Sequence, residues 1–223
     1  MQVTEENGIR YYIDDVGKRY RSVTGILSAT KSDRDVKSIQ NWRMKKGAEA
    51  ADLVFNNACL RGTFVHSCAE SFLKGEDIKL DYEPGLAHWE SLRPALTPIT
   101  DVIAMEEAIS HPLGWAGRFD CLATYRGIPN TIIDFKTSDK VKRREYITDY
   151  CLQLAAYSGG IYHTFGHRIE QGVLIIGIAN RTAQTVVLNK TELLFYWNLW
   201  VKRVESYHKM QADKSRYNLE EVA

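Results

Sequence analysis

Asp120, Asp134 and Lys136 are the residues of this chain whose types and spacing best suit chemistry. Residues 117 to 125 and 131 to 136 are rich in apolar and β-branched types, and Arg126-Gly127-Ile128-Pro129-Asn130 between them carries turn residues, so the two runs read as a β-hairpin. Side chains alternate along a strand, which puts Asp134 and Lys136 on one face and sends Phe135 to the other, toward a core. Two carboxylates and an ammonium gathered by one hairpin suit metal-dependent cleavage of a phosphodiester. The carboxylates would hold a divalent cation that neutralises phosphate charge and lowers the pKa of water from about 15.7 toward neutrality. Lys136 would stabilise the extra charge of the transition state. An Asp-x-Lys triplet alone is common at solvated strand ends, so the elements around it decide between these readings.

Two helical segments supply the context. In Arg61-Gly62-Thr63-Phe64-Val65-His66-Ser67-Cys68-Ala69-Glu70, His66 and Glu70 are four residues apart and share a helix face. Residues 149 to 161 form an amphipathic helix directly after the hairpin, with Gln153 and Tyr157 likewise four apart and both able to hydrogen-bond. Taken singly, His66 reads as a buried or capping histidine and Tyr157 as a core residue with its hydroxyl at the rim.

Taken in order, Arg61-Gly62-x-x-x-His66-x-x-x-Glu70, Gly117-x-x-Asp120, Ile133-Asp134-Phe135-Lys136-Thr137 and Gln153-x-x-x-Tyr157 resemble the motifs of the RecB-like branch of the PD-(D/E)XK nucleases. The chain is similar, along nearly all its length, to the mitochondrial genome maintenance exonucleases and related phage and bacterial exonucleases. Supporting stretches are Ser22-Val23-Thr24-Gly25-Ile26-Leu27, residues 134 to 140, and Tyr196-Trp197-x-x-Trp200. The resemblance implies a Mg2+ or Mn2+ site with His66, Asp120, Asp134 and the backbone carbonyl of Phe135 as ligands, and Lys136 as the catalytic lysine. It places Gln153, Tyr157 and Glu70 around the site, with Glu106 where some relatives carry an acidic residue ahead of the hairpin. It further implies a deoxyribonuclease, an exonuclease on single-stranded DNA or DNA ends in replication, repair or recombination. A structure-selective endonuclease and a non-catalytic DNA-binding factor are the alternatives.

One departure matters. Some RecB-like nucleases clamp an iron-sulfur cluster with three closely spaced cysteines after the Gln-Tyr helix, and here no cysteine follows Cys151. Cys59, Cys68, Cys121 and Cys151 are scattered without C-x-x-C spacing, so no iron-sulfur cluster is expected and all four read as small buried residues.

The formal net charge is only +1, which gives no global attraction to nucleic acid, so DNA would have to be held by local patches. Lys140-Val141-Lys142-Arg143-Arg144 begins four residues after Lys136 and is expected to contact substrate phosphates through Lys140, Lys142, Arg143 and Arg144. Arg43-Met44-Lys45-Lys46 reads equally well as a solvated face. Ser22 and Thr24 open a helix, where hydroxyls and free amides would bind a DNA phosphate, although capping alone explains them.

Of the 223 residues, 44% are hydrophobic and 26% charged, the balance of a globular protein able to bury a core. No stretch approaches a membrane span, and the first residues lack secretory or transit character, so the cytoplasm is expected, the host's if the gene is a phage's. The oligomeric state stays open.

The expected fold is mixed α/β: a central mixed β-sheet flanked by helices, a restriction-endonuclease-like core with an N-terminal helical region. A hairpin spans residues 8 to 20, helices follow at 36 to 46, 47 to 74 and 82 to 96, and the first core strand runs from 100 to 110. After the catalytic hairpin and the Gln153 helix come strands at 172 to 179 and 184 to 188 and an amphipathic helix from 192 to 211. One nuclease domain is expected over 1 to 223: a mainly helical part to 99, the catalytic core from 100 to 212, and a polar tail from 213.

Overall fold

A computed structural model describes residues 1–6 and 8–220, with side chains to 213. Eight strands form one mixed sheet with helices on both faces, as the patterning predicts. The elements are β1 Gln2–Glu6, β2 Ile9–Ile13, β3 Arg19–Ser22, α1 Val23–Ala29, α2 Asp33–Lys46, α3 Ala48–Lys74, α4 Glu83–Leu96, β4 Ile99–His111, β5 Trp115–Tyr125, β6 Ile128–Ser138, α5 Thr148–Phe165, β7 Gln171–Ile178, β8 Gln184–Asn189 and α6 Lys190–Glu220. A short 3-10 turn at Arg144–Tyr146 precedes α5.

The sheet forks at β5. Along one edge β5 pairs with β4 from Tyr125 back to Trp115. Its other edge is shared: β3 runs parallel to it at Trp115 and Ala116, while β6 runs antiparallel to it from Cys121 to the hairpin turn. Residues 117 to 120 lie between these two pairings, and the branches β3-β2-β1 and β6-β7-β8 diverge from there. Backbone groups exposed in such a gap need other partners. Asp120 supplies one, because its Oδ2 accepts the Phe135 N–H at 2.7 Å where the ladder has stopped.

Two large cores hold the layers, with a smaller cluster of Tyr12, Tyr20 and Ala116 under the meander among the described residues. On one face Val23 and Ile26 of α1, Leu152 and Leu154 of α5 and Trp200 of α6 pack on Phe119, Leu122, Ile132 and Leu174. On the other, Val65 and Cys68 of α3 and Trp89 and Leu92 of α4 cover Cys121, Ile133, Phe135 and Ile175. Phe119 and Cys121, two residues apart on β5, should share a face yet belong to opposite cores. On β4, Ile109 and Met105 are split in the same way. The alternation therefore reverses at Asp120 and at Glu106 opposite it. Glu106 has φ +53, a left-handed conformation that is uncommon for a residue other than glycine.

The structure extends or corrects the sequence expectations in three places. The expected hairpin at residues 8 to 20 is β2–β3, and it gains a further strand, β1 (QVTEE), whose residues show no apolar alternation, so a three-stranded meander joined to the main sheet precedes the helices. Cys59 is exposed on α3, while Cys68, Cys121 and Cys151 are buried as expected. Helix α6 continues through Glu220, so the backbone described beyond 212 is helical rather than a tail; residues 221 to 223 of the expected tail lie outside the described residues.

Candidate active site

The fork opens into a cleft of about 670 Å³. Gly117, Arg118 and Asp120 of β5 form its floor with Lys136, Gln153 and Tyr157; α3 supplies one wall through Gly62, Thr63, His66, Ser67 and Glu70; the meander supplies another through Thr4, Glu5, Arg10 and Tyr12. Gly117 has a steric reason to be glycine, since a Cβ there would lie 2.6 Å from the Tyr157 ring.

Three ligand-type side chains converge. Atoms of His66, Glu106 and Asp120 all lie within 4.8 Å of one another, the group of that kind found among the described residues. His66 Nδ1 is 3.4 Å from Asp120 Oδ2, and the His66 ring meets the Phe135 ring edge-on at 6.2 Å, which fixes its plane. Glu106 reaches the group because Met105↔Cys121 and Glu107↔Phe119 set it directly across the ladder from Asp120. Burial, and then the Asp120 charge, push the Glu106 carboxyl up to about 7.

Asp134 and Lys136 form a second unit beside the first. Asp134 is fully buried, and its Oδ2 lies 2.5 Å from Lys136 Nζ. Apart from that ion pair, neither oxygen of Asp134 receives a hydrogen bond from the described residues. A buried carboxylate short of donors fits a cation, and one imidazole with several carboxylates is a set of donors suited to Mg2+ or Mn2+. Burial raises the Asp134 pKa, with Lys136 opposing. Burial disfavours the Lys136 ammonium, but the Asp134 and Asp120 carboxylates outweigh it and leave its pKa above the usual lysine value. Lys136 is thus a cation at neutral pH, positioned over the Tyr150 ring at 5.4 Å.

Gln153 Nε2 donates to Tyr157 Oη at 3.0 Å, so the two residues act as one buried polar unit on the cleft floor. Glu70 lines the cleft with its carboxylate 2.6 Å from Lys74 Nζ. Ser22 and Thr24 both border the cleft, but the Ser22 Oγ already caps α1 by accepting the Gly25 N–H at 3.1 Å; Thr24 is exposed. The stretch from Lys140 to Arg144 is absent from the cleft lining. Lys140, Lys142 and Arg143 border a separate hollow of about 890 Å³, and Arg144 is paired with Glu192 at 2.8 Å. Arg10 and Arg118, which the motifs did not single out, do line the cleft. For Arg118 a signal existed, because it sits two residues before Asp120 and shares its strand.

A carboxylate-rich cleft at a forked mixed sheet, with Asp-x-Lys on a central strand and a histidine from a helix above it, fits a PD-(D/E)XK-like nuclease. No family model matches the chain. Over 207 residues, 87% of this chain, it is 30% identical to mitochondrial genome maintenance exonuclease 1 of Mus musculus. It is also 30% identical, over 208 residues, to the Xenopus tropicalis protein of the same name. The likeness read from the motifs is borne out. The chain spans 60% and 59% of the length of these two relatives. Among solved structures, an alkaline exonuclease from Laribacter hongkongensis overlays 72% of this chain and 86% of its own at a TM-score of 0.40 and 12% identity.

Proposed function

We propose that this protein is a divalent-metal-dependent DNA exonuclease acting on single-stranded DNA or DNA ends in replication, repair or recombination. The observation that carries the reading is the adjacency of two units: the His66, Glu106 and Asp120 cluster that lines the cleft, and Lys136 of the same cleft paired with the buried, undersupplied Asp134 carboxylate beneath it. His66, Asp120, Asp134 and the Phe135 carbonyl would hold Mg2+ or Mn2+, with Glu106 joining them. A cation there supplies charge neutralisation at the phosphate and acidifies water for attack.

The chain's own groups do the remaining work. Lys136, kept protonated by its two carboxylate neighbours, faces the charge that builds on the phosphate oxygens and stabilises it. Asp134 and Tyr150 hold that ammonium in place. Gln153 and Tyr157 offer fixed hydrogen-bonding groups on the floor, and Glu70 and Thr24 border the path of the strand. Lys140, Lys142, Arg143 and Arg144 would meet the strand beyond the cleft. No described helix is long and apolar enough to cross a membrane, and the four free cysteines favour a reducing compartment such as the cytoplasm.

The test is incubation of end-labelled linear and circular single strands and duplexes with Mg2+, Mn2+ or chelator. Linear strands should be degraded with metal and spared with chelator, and Asp134→Ala should be inert. Circles cut as fast as linear strands would replace the exonuclease reading with an endonuclease.

A further inference from the structure

The cleft has an electrostatic problem. Its catalytic side presents Asp120, Glu106, which is charged above about pH 7, and Glu70, whose charge is shared with Lys74, and the chain's net charge of +1 supplies no compensating field for a phosphate strand. The positive groups that offset this must lie in the cleft itself.

Arg10 and Arg118 are there, and neither forms a short ion pair with a carboxylate among the described residues, although the Arg118 charge reaches Glu106. Many guanidinium groups elsewhere are so paired, as in Arg61 with Asp139 and Arg144 with Glu192, both at 2.8 Å. Arg10 and Arg118 have no carboxylate within 4.0 Å among the described residues. Glu5 lies across the ladder from Arg10 without pairing with it, and Arg118 faces Ala108 on β4. Arg118 is exposed two residues from Asp120 on one strand, a separation of about 6.6 Å along β5. Arg10 is exposed on the meander wall, its backbone carbonyl held by Arg21 Nη1 at 3.4 Å and its side chain hydrogen-bonded to the Tyr12 hydroxyl. A guanidinium fork matches two oxygens of one phosphate, and forks without a carboxylate beside a metal-ligand cluster are placed for the phosphates flanking the bond to be cut.

We propose that Arg118 and Arg10 are the phosphate-binding residues of the cleft, gripping the nucleic-acid strand against the N-terminal meander next to the cleavage site. The assignment rests on the nuclease reading and adds the path of the strand. It also gives the meander a function, as the wall that holds substrate opposite α3.

The test is fluorescence anisotropy of a labelled single-stranded oligonucleotide in Ca2+ across a salt series, beside Mg2+-dependent cleavage of the same strand. The Arg10→Gln, Arg118→Gln double variant should bind at least tenfold more weakly. Its slope of log affinity against log salt should be shallower by ~1.4, at ~0.7 for each single-strand phosphate that is no longer neutralised. Arg126→Gln, Arg181→Gln, which removes two arginines from a hollow away from the cleft, should keep the wild-type slope. Both variants are checked for folding by circular dichroism. An equal loss with phosphorylated and unphosphorylated ends assigns the arginines to internal phosphates, and a loss confined to phosphorylated ends assigns them to a terminal one. A wild-type slope in the cleft variant, or an equal drop in the distal control, overturns the proposal while cleavage by the wild type leaves the nuclease reading standing. A wild-type protein that neither binds nor cleaves the strand overturns both.

Discussion

Glu106 faces Asp120 across the β4–β5 ladder at the one place where both strands reverse their side-chain alternation, and the left-handed backbone of Glu106 marks the reversal. Two carboxylates brought together in a half-buried site repel each other, which is why burial and Asp120 together keep the Glu106 proton on to about pH 7. Such an arrangement is costly unless a cation shares it. Glu106→Gln should therefore weaken Mn2+ binding on the order of 10–100-fold, the loss typical even for groups that only support a ligand. Calorimetric titration of the metal checks this, and an unchanged affinity would remove Glu106 from the site.

Lys136 and Asp134 make a different prediction, about stability. The Asp134 side chain is 1% exposed and that of Lys136 18%, so deleting the lysine strands a buried carboxylate. Lys136→Ala should cost ~3 kcal/mol in urea unfolding and abolish cleavage. The Asp134→Asn, Lys136→Met double variant removes both charges and should recover most of that stability while staying inactive. If it proves as unstable as the single variant, the ion pair is not what the lysine contributes.

The parts of this site that were legible in sequence are those set by local periodicity. The β5–β6 hairpin followed from period-two patterning, but its turn is Arg126-Gly127 alone rather than the expected 126 to 130: β6 starts at Ile128, and φ values of +50 and +79 at the two turn residues are both positive, as a tight two-residue hairpin turn demands. His66 and Gln153 followed from helical spacing. The fork was not legible, because the pairing of Arg21 with Trp115 joins distant segments through only two residues. Nor was the convergence of Glu106, since a reversal of alternation leaves no pattern in residue types and only the family likeness pointed there. Arg10 reaches the cleft solely because the meander docks beside β5, a tertiary event.

Gly62 sits in the middle of α3, where glycine costs ~1 kcal/mol relative to alanine. No neighbour explains it, since a Cβ added there meets nothing within 4 Å, and Gly62 lines the cleft. The clearance leaves room for a DNA strand to pass close to α3. Gly62→Ala should raise the melting temperature by roughly 2–4 °C, the shift ~1 kcal/mol gives in a chain of this size, and should raise KM for the DNA strand. A stabilised variant with unaltered kinetics would show that substrate does not approach α3 there.

His111 lies at the end of β4, and its acid response is set by packing. Its ring stacks on Trp115 at 5.0 Å, touches Trp197 and His163 edge-on, and accepts the Leu113 N–H through Nδ1 at 3.3 Å. Burial, with His163 adding to it, lowers its pKa from 6.5 to about 4. Between those values the unfolded chain holds a proton that the folded chain refuses, so this contribution to stability is complete above pH 6.5 and is lost as pH falls through 4. Glu106 and Asp134, whose pKa values are raised, push the opposite way, so the wild-type profile alone would hide the effect. His111→Phe keeps an aromatic ring against Trp115 without a titrating group. Its unfolding midpoint in urea should fall less than the wild type's between pH 6.5 and 4, and parallel profiles would show that His111 is accommodated as a cation.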